Sequence, residues 1–223
     1  MPTARFAFAV EGERVDVLPE HRSPEGFLAY QELRRAHSVV GMTTFPNSVL
    51  LRGSSTILVD PGLHLQNEPV VRALAGRGVI PADVDLIALT HAHLDHAGAC
   101  VDVARPVAVH ELELREPHWA TVRGVLEARH LHLLEGDEGE LAPGVTWVRT
   151  PGHSHGSVCY RVETDEGLVV LAGDTIGPLK AFFDEMRLPE GWEDGDELLQ
   201  AWTLIRSWRP ARIVAGHLPP FSL

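Results

Sequence analysis

Apolar and polar positions change their rhythm repeatedly along the chain, and each change marks an element. Short strand-like runs fill the first sixty residues: RFAFAV, RVDVL, NSVLLRG and STILVD. Between the second and third, SPEGFLAYQELRRAH starts at Ser23, a helix-capping residue type, and continues as a helix. LQNEPVVRALAGRG reads as a further helix, with Pro69 in or near its first turn and glycine at its end. DVDLIALT is a buried strand, HAGACVDV opens a helix, and PVAVH is another strand, followed by helical ELELREPHW and TVRGVLEARH. In the second half GVTWVRT, SVCYRVET and GLVVLAGD read as strands. An irregular stretch, GPLKAFFDEMRLPEGWEDG, precedes the helix DELLQAWTLIRSW, and ARIVAG is a last strand.

Strand clusters interleaved with helices in both halves predict an α/β fold: two sheets facing each other with helices outside, an αββα four-layer sandwich. No repeat, low-complexity stretch or long linker divides the chain, so residues 1–223 read as one domain.

Composition narrows the function classes. With 44% hydrophobic residues the chain can build a substantial core. No run of about 18 apolar residues appears, so no membrane span is expected. MPTARFAFAVEGERVDV lacks the apolar stretch and cleavage site of a secretory signal, and the expected location is cytoplasmic. A net charge of -12, with basic residues spread thinly, argues against nucleic acid as a partner and leaves a small-molecule substrate. A small anion is not excluded, because two divalent ions would add a local charge of about +4. Cys100 and Cys159 belong to no C-x-x-C pair and sit in apolar surroundings, as small buried hydrophobes do. Oligomeric state does not follow from the sequence.

The thirteen histidines are the unusual feature. Thr90-His91-Ala92-His93-Leu94-Asp95-His96-Ala97-Gly98 directly follows the strand-like LIALT. Residues two apart in an extended chain point to one side, so His91 and His93 can share one ion. The chain must then turn, which lets Asp95 and His96 point toward a second ion beside the first. Imidazole and carboxylate suit zinc. Three more candidates stand at strand ends: His153 in TPGHSHGS, Asp174 in LVVLAGDT and His217 in IVAGHLPP. Each alone has a bland reading as a turn histidine, a capping aspartate or a surface histidine. Together with the first motif they make five histidines and two aspartates, enough for two ions.

This ordered set, H-x-H-x-D-H, then His, then Asp, then His, resembles the metallo-β-lactamase superfamily from about Asn47 to His217. The resemblance implies that His91, His93 and His153 bind a first zinc, that Asp95, His96 and His217 bind a second, and that Asp174 bridges both. Asp95 and Asp174 are then catalytic candidates as well as ligands. Asp60, in LVDPG, matches an acid that the family often keeps behind the metal loop; a plain turn aspartate is nearly as good a reading. The implied activity is that of a metal-dependent hydrolase: hydroxide held between two zinc ions attacks an ester, thioester or lactone of a small molecule. Iron or manganese are alternatives to zinc.

Departures from individual branches narrow the choice. Lactamases acting on antibiotics commonly carry another residue at the position of His96. Flavodiiron proteins carry Glu at the position of His93. Quorum-quenching lactonases have a Tyr shortly after the bridging Asp, where this chain has Thr175-Ile176-Gly177. Glyoxalase II matches in T-H-x-H-x-D-H, P-G-H-S and G-D but adds a helical C-terminal domain, and this chain stops six residues after His217. The tRNA-processing nucleases add a basic arm. A compact glyoxalase-II-like hydrolase remains. Phosphodiesterase activity, a mononuclear iron dioxygenase of persulfide type and a non-catalytic metal-binding module are the competing readings. The stretch from Gly177 to Gly195 is expected to frame the pocket. Phe182, Phe183, Met186 and Trp192 could wall it and Lys180 could meet an anion, although ordinary packing is the better reading of these residues. His110 and His155 read as surface or core histidines, and His118, His130 and His132 carry no assignment.

Overall fold

Two sheets, each apolar on both faces, set the architecture. The computed structural model describes residues 5–6, 16–18, 46–64, 68–177, 180–188 and 195–223. The helix expected behind Ser23, and Trp192, lie outside the described residues.

The first sheet contains β1 (Arg5–Phe6), β2 (Asp16–Leu18), β3 (Ser48–Arg52), β4 (Thr56–Val59), β5 (Leu86–Ala88), β6 (Val107–His110) and β7 (Leu131–Leu134). Its order is β1-β3-β4-β5-β6-β7, with β2 also paired to β3. From β4 to β7 the strands run parallel. Helices α1 (Pro69–Ala75), α2 (Leu94–Ala97), α3 (Cys100–Val103) and α4 (Trp119–Leu126) belong to this half. The second sheet contains β8 (Glu138–Ala142), β9 (Val145–Arg149), β10 (Val158–Thr164), β11 (Gly167–Gly173) and β12 (Arg212–Ala215), in the order β12-β11-β10-β9-β8. Helices α5 (Lys180–Glu185) and α6 (Gly195–Ser207) belong to it.

Alternation within a strand sorts side chains into layers. Along β3 and β4, Val49, Leu51, Ile57 and Val59 point inward, and Leu50 and Leu58 point out to the helices. The inward set meets Trp147, Val158, Tyr160, Val162, Val169, Leu171 and Val214 of the second sheet, forming the core between the sheets. The outward set packs with Val70, Leu74, Trp119, Val122 and Leu126 from α1 and α4. On the far side, Val170, Ala172, Ile213 and Ala215 pack against Phe183, Leu198, Trp202 and Ile205 from α5 and α6. The layers therefore run helix, sheet, sheet, helix, the expected αββα sandwich. Strands covered on both faces read as unbroken apolar runs, which is why β3, β4 and β11 stood out in the sequence.

Some local expectations change. ELELREPHW forms a 3-10 turn at Glu111–Arg115, and only Trp119–Leu126 continues as α-helix. β7 and β8 had no sequence signal. Phe183 is fully buried in the outer core beside Trp202, and Lys180 Nζ donates to Asp184 at 2.6 and 2.7 Å, so packing accounts for the first and an exposed ion pair for the second. Cys100 and Cys159 are free and buried. Among the described residues no helix is long and apolar enough to cross a membrane.

Candidate metal centre

Four chain segments leave their strands at one edge of the sandwich. β5 runs through Leu89 and Thr90 into His91-Ala92-His93. His93 keeps extended backbone (φ -68°, ψ 151°) and the chain then turns into α2, which carries Asp95 and His96. Thr150-Pro151-Gly152 leads from β9 to His153, Asp174 follows β11 directly, and Gly216 separates β12 from His217. Backbone bonds hold these ends in register: Val158 N–H donates to Thr90 O (2.8 Å) and Gly216 N–H to Gly173 O (2.7 Å). Asn47 Nδ2 donates to Ala215 O and Leu218 O at 2.8 and 2.6 Å, fixing the turn that carries His217.

All seven predicted side chains meet here, in two adjacent sets. His91, His93, His153 and Asp174 form one; Asp95, His96 and His217 form the other; in each, one donor atom per residue lies within 4.8 Å of the rest. In the first, His91 Nε2 and His93 Nδ1 are 2.9 Å apart, and His153 Nε2 is 3.2 and 3.0 Å from them. Asp174 lies between the sets: Oδ2 is 3.7 Å from His153 Nε2 and 3.2 Å from His217 Nε2, while Oδ1 is 3.4 Å from His96 Nε2. Asp95 Oδ2 is 3.4 Å from His217 Nε2. Gly216 permits this crowding, since a Cβ there would overlap Asp174 Oδ1 and stand 3.1 Å from His96 Cε1.

The fit to a cation can be judged from the atoms themselves. Nitrogens that each sit about 2.0–2.1 Å from a tetrahedral zinc are roughly 3.3 Å apart, close to the spacing of the three imidazoles. His96 Nε2 and Asp174 Oδ1 are buried and face each other at 3.4 Å without a hydrogen bond to satisfy either. Buried polar atoms without partners are costly, and a cation between them removes the cost. Imidazole nitrogen with carboxylate oxygen is a donor set for a divalent ion of the zinc class. The residues fit the group.

Protons divide the two sets. Burial disfavours charge on His91, and the neighbouring His96 and His153 reinforce it, holding this imidazole well below its usual range. Burial and the nearby His153 bring His93 down to about 4, and His153 is lowered mainly by burial. In the second set burial also opposes charge on His96, yet the carboxylates of Asp174 and Asp60 outweigh it and raise it well above its usual range. His217 rises to about 9 against its burial, through Asp174 and Asp95. Burial works to raise Asp95 and Asp174. Contact with His217 and the charge of His96 overcome it, leaving Asp95 at about 2 and Asp174 well below the carboxylate range.

Asp60 takes the place behind the metal loop that the resemblance implied. Its backbone is left-handed (φ 46°), a conformation that Asp tolerates better than most residues. It accepts from Thr90 N–H (2.8 Å), Thr90 Oγ1 (2.6 Å) and His96 Nδ1 (2.9 Å). His96 therefore carries its proton on Nδ1 and turns Nε2 toward the site. Thr90 Oγ1 stands 3.1 Å from His91 Nδ1 and orients that ring likewise. Sequence reasoning missed Glu113 and His118: Glu113 is fully buried and lies 2.9 Å from His118 Nε2, and the His118 ring meets His93 edge-on, centroids 4.2 Å apart. His110 is absorbed elsewhere, donating to Gly136 O (2.8 Å), and His155 is exposed beside Glu116.

The family model of the metallo-beta-lactamase superfamily matches residues 42–217. Metallo-beta-lactamase domain-containing protein 1 of Rattus norvegicus is 31% identical over 211 residues, 90% of this chain and 75% of that protein. The N-acyl homoserine lactonase of Bacillus cereus is 30% identical over 126 residues, 54% of this chain and 50% of that protein. A crystal structure of a Thermotoga maritima protein described as a metallo-beta-lactamase superposes with a TM-score of 0.67 at 22% identity, over 80% of this chain and 89% of that one. The chain spans less than two thirds of the length of several curated relatives it matches.

Proposed function

The chain belongs to the metallo-beta-lactamase superfamily, and on that premise we propose that it is a hydrolase holding two zinc ions and cleaving a small ester, thioester or lactone. The observation that carries the reading is the convergence of seven side chains, from four strand ends, into two adjacent donor sets, with Asp174 of the first set standing 3.2 and 3.4 Å from His217 and His96 of the second. His91, His93 and His153 would hold one ion, Asp95, His96 and His217 the other, with Asp174 between. Two such ions, when bound, acidify a water from a pKa of about 15.7 to about 7 and polarise the substrate's oxygen.

The chain's own part is to orient and to shield. Asp60 keeps the proton of His96 on Nδ1, and Thr90 does the same for His91, so that Nε2 of both rings faces the ions. His91 and His96 are 1% and 0% exposed and close the inner wall. Asp95, His153, Asp174 and His217 keep side-chain exposures of 13–16%, so the site opens to substrate on that side. Structural zinc sites are closed by four protein ligands, and this openness supports catalysis over a purely structural metal. The lactonase of Bacillus cereus among the relatives supports a carboxylic ester as the bond cleaved.

Metal analysis and a substrate panel test the proposal together. Two zinc ions per chain and turnover of p-nitrophenyl esters, lactoyl-glutathione or a homoserine lactone are expected. A single iron per chain would favour the dioxygenase reading. Turnover confined to bis-p-nitrophenyl phosphate would move the assignment to phosphodiesterases. Full metal loading with no turnover across the panel would overturn hydrolysis.

A further inference from the structure

Glu113 is 0% exposed, and its carboxylate is not a member of either donor set. Burying a carboxylate is costly unless several donors meet it. Three do. Oε2 accepts from Ala92 N–H at 2.7 Å and from His118 Nε2 at 2.9 Å, and Oε1 accepts from Ser154 Oγ at 2.5 Å. Burial works to raise its pKa, but these three bonds prevail and hold it below the usual range, so the group is ionised.

Each partner adjoins a residue of the three-histidine set. Ala92 lies between His91 and His93, the His118 ring rests against His93, and Ser154 follows His153. The segments bearing these histidines come from different sheets, 60 to 62 residues apart. Ser154 Oγ also lies 2.7 Å from Ser157 Oγ, which accepts from Ser154 N–H at 3.2 Å, so the pull on Ser154 passes to the whole turn. The fit is tight: a Cβ on Gly156 would stand 2.7 Å from both the backbone nitrogen and Oε1 of Glu113.

We propose that Glu113 is a positioning residue that locks the 91–93 loop of one sheet to the 153–157 turn of the other, setting the spacing of His91, His93 and His153. This rests on the reading of those histidines as cation ligands. The carboxylate touches neither substrate nor reacting atoms; it acts through the loops it joins.

The test compares Glu113→Ala, Glu113→Gln and Ser154→Ala in the whole chain, with two readouts. The first is amide hydrogen exchange of the metal-free protein. The second is titration with Co2+, following its visible spectrum and the affinity of each donor set. Glu113→Ala is expected to speed exchange at Ala92 and 153–157 selectively. It should weaken the three-histidine set about 10–100-fold and spare Asp95, His96 and His217. Glu113→Gln retains an oxygen for Ala92 N–H and His118 and should stay within about threefold of the parent. Ser154→Ala removes one bond of three and should shift both readouts the same way by less; it decides the matter if Glu113→Ala does not fold. Unchanged exchange at the two loops, or an equal loss at both donor sets, overturns the proposal. Failure of the parent chain to bind Co2+ would sink the metal reading instead, and the exchange pattern would still decide whether Glu113 joins the loops.

Discussion

His91, His93 and His153 crowd together with their nitrogens about 3 Å apart and, as bare side chains, shed their protons; His96 and His217 keep theirs, because Asp60, Asp95 and Asp174 stand beside them. The residue types nearly coincide, and the neighbours decide the chemistry. Imidazoles facing imidazoles repel charge, and each is left with a lone pair ready for a cation. Imidazoles facing carboxylates are already half of an ion pair. A cation entering the first set meets no competitor, whereas one entering the second must displace a proton. Two sets less than 4 Å from a shared carboxylate can thus differ in affinity and in pH response.

The harshest way to break this comparison is to remove the carboxylate that stands near both sets. Asp174→Asn deletes the charge that faces His153, His96 and His217 together. Activity should fall by more than the roughly 10–100-fold that loss of an outer partner costs, and metal analysis should find fewer than two ions per chain. Two ions with normal turnover would deny Asp174 its place between the sets.

The pH dependence of cation affinity comes next in size. Burial brings His93 down to about 4 and also lowers His91 and His153, so from pH 8 down to pH 6 the affinity of the first set should change less than that of the second. His217 titrates at about 9 and is protonated across that range, while Asp95, at about 2, stays ionised. His96 is raised as well, so affinity of the second set should fall about tenfold per pH unit for each proton displaced, about 100-fold over two units for each of the two imidazoles. Calorimetry in buffers of different ionisation enthalpy counts the protons directly. Parallel pH profiles for the two sets would remove the contrast.

How much of this was legible depended on whether a residue's role is local. Candidate ligands standing directly after apolar strands, such as Asp174 after LVVLAG and His217 after IVAG, could be read because the strand fixes where the next side chain emerges. β3, β4 and β11 could be read because both their faces are buried. β7 and β8 could not. Both are edge strands: β7 exposes His132 and Leu133, and β8, EGELA, is mostly polar. Glu113 escaped for another reason. Within ELELREP an acidic residue looks like a solvated surface position, and its value arises only when Ala92 and Ser154, 21 and 41 residues away, fold against it.

Asp60 offers the finest cut between the two sets, because it reaches them by different routes. It holds His96 directly through Nδ1 (2.9 Å) and influences His91 only through the hydroxyl of Thr90, which donates to Asp60 at 2.6 Å and stands 3.1 Å from His91 Nδ1. Asp60→Asn preserves size and the turn, since Asn also tolerates a left-handed backbone. It removes the carboxylate oxygen that accepts from His96 Nδ1. The ring of His96 is then free to carry its proton on Nε2, the nitrogen that must face the ion. Affinity of the second set should drop by about tenfold, the lower end of what losing an outer partner costs. The first set should lose about threefold or less, because Thr90 can still orient His91 by turning its hydroxyl to the amide oxygen. A Co2+ titration resolving both sets measures the two losses in one experiment. Equal losses would mean that Asp60 supports the loop as a whole, and a larger loss at the first set would reverse that order of dependence.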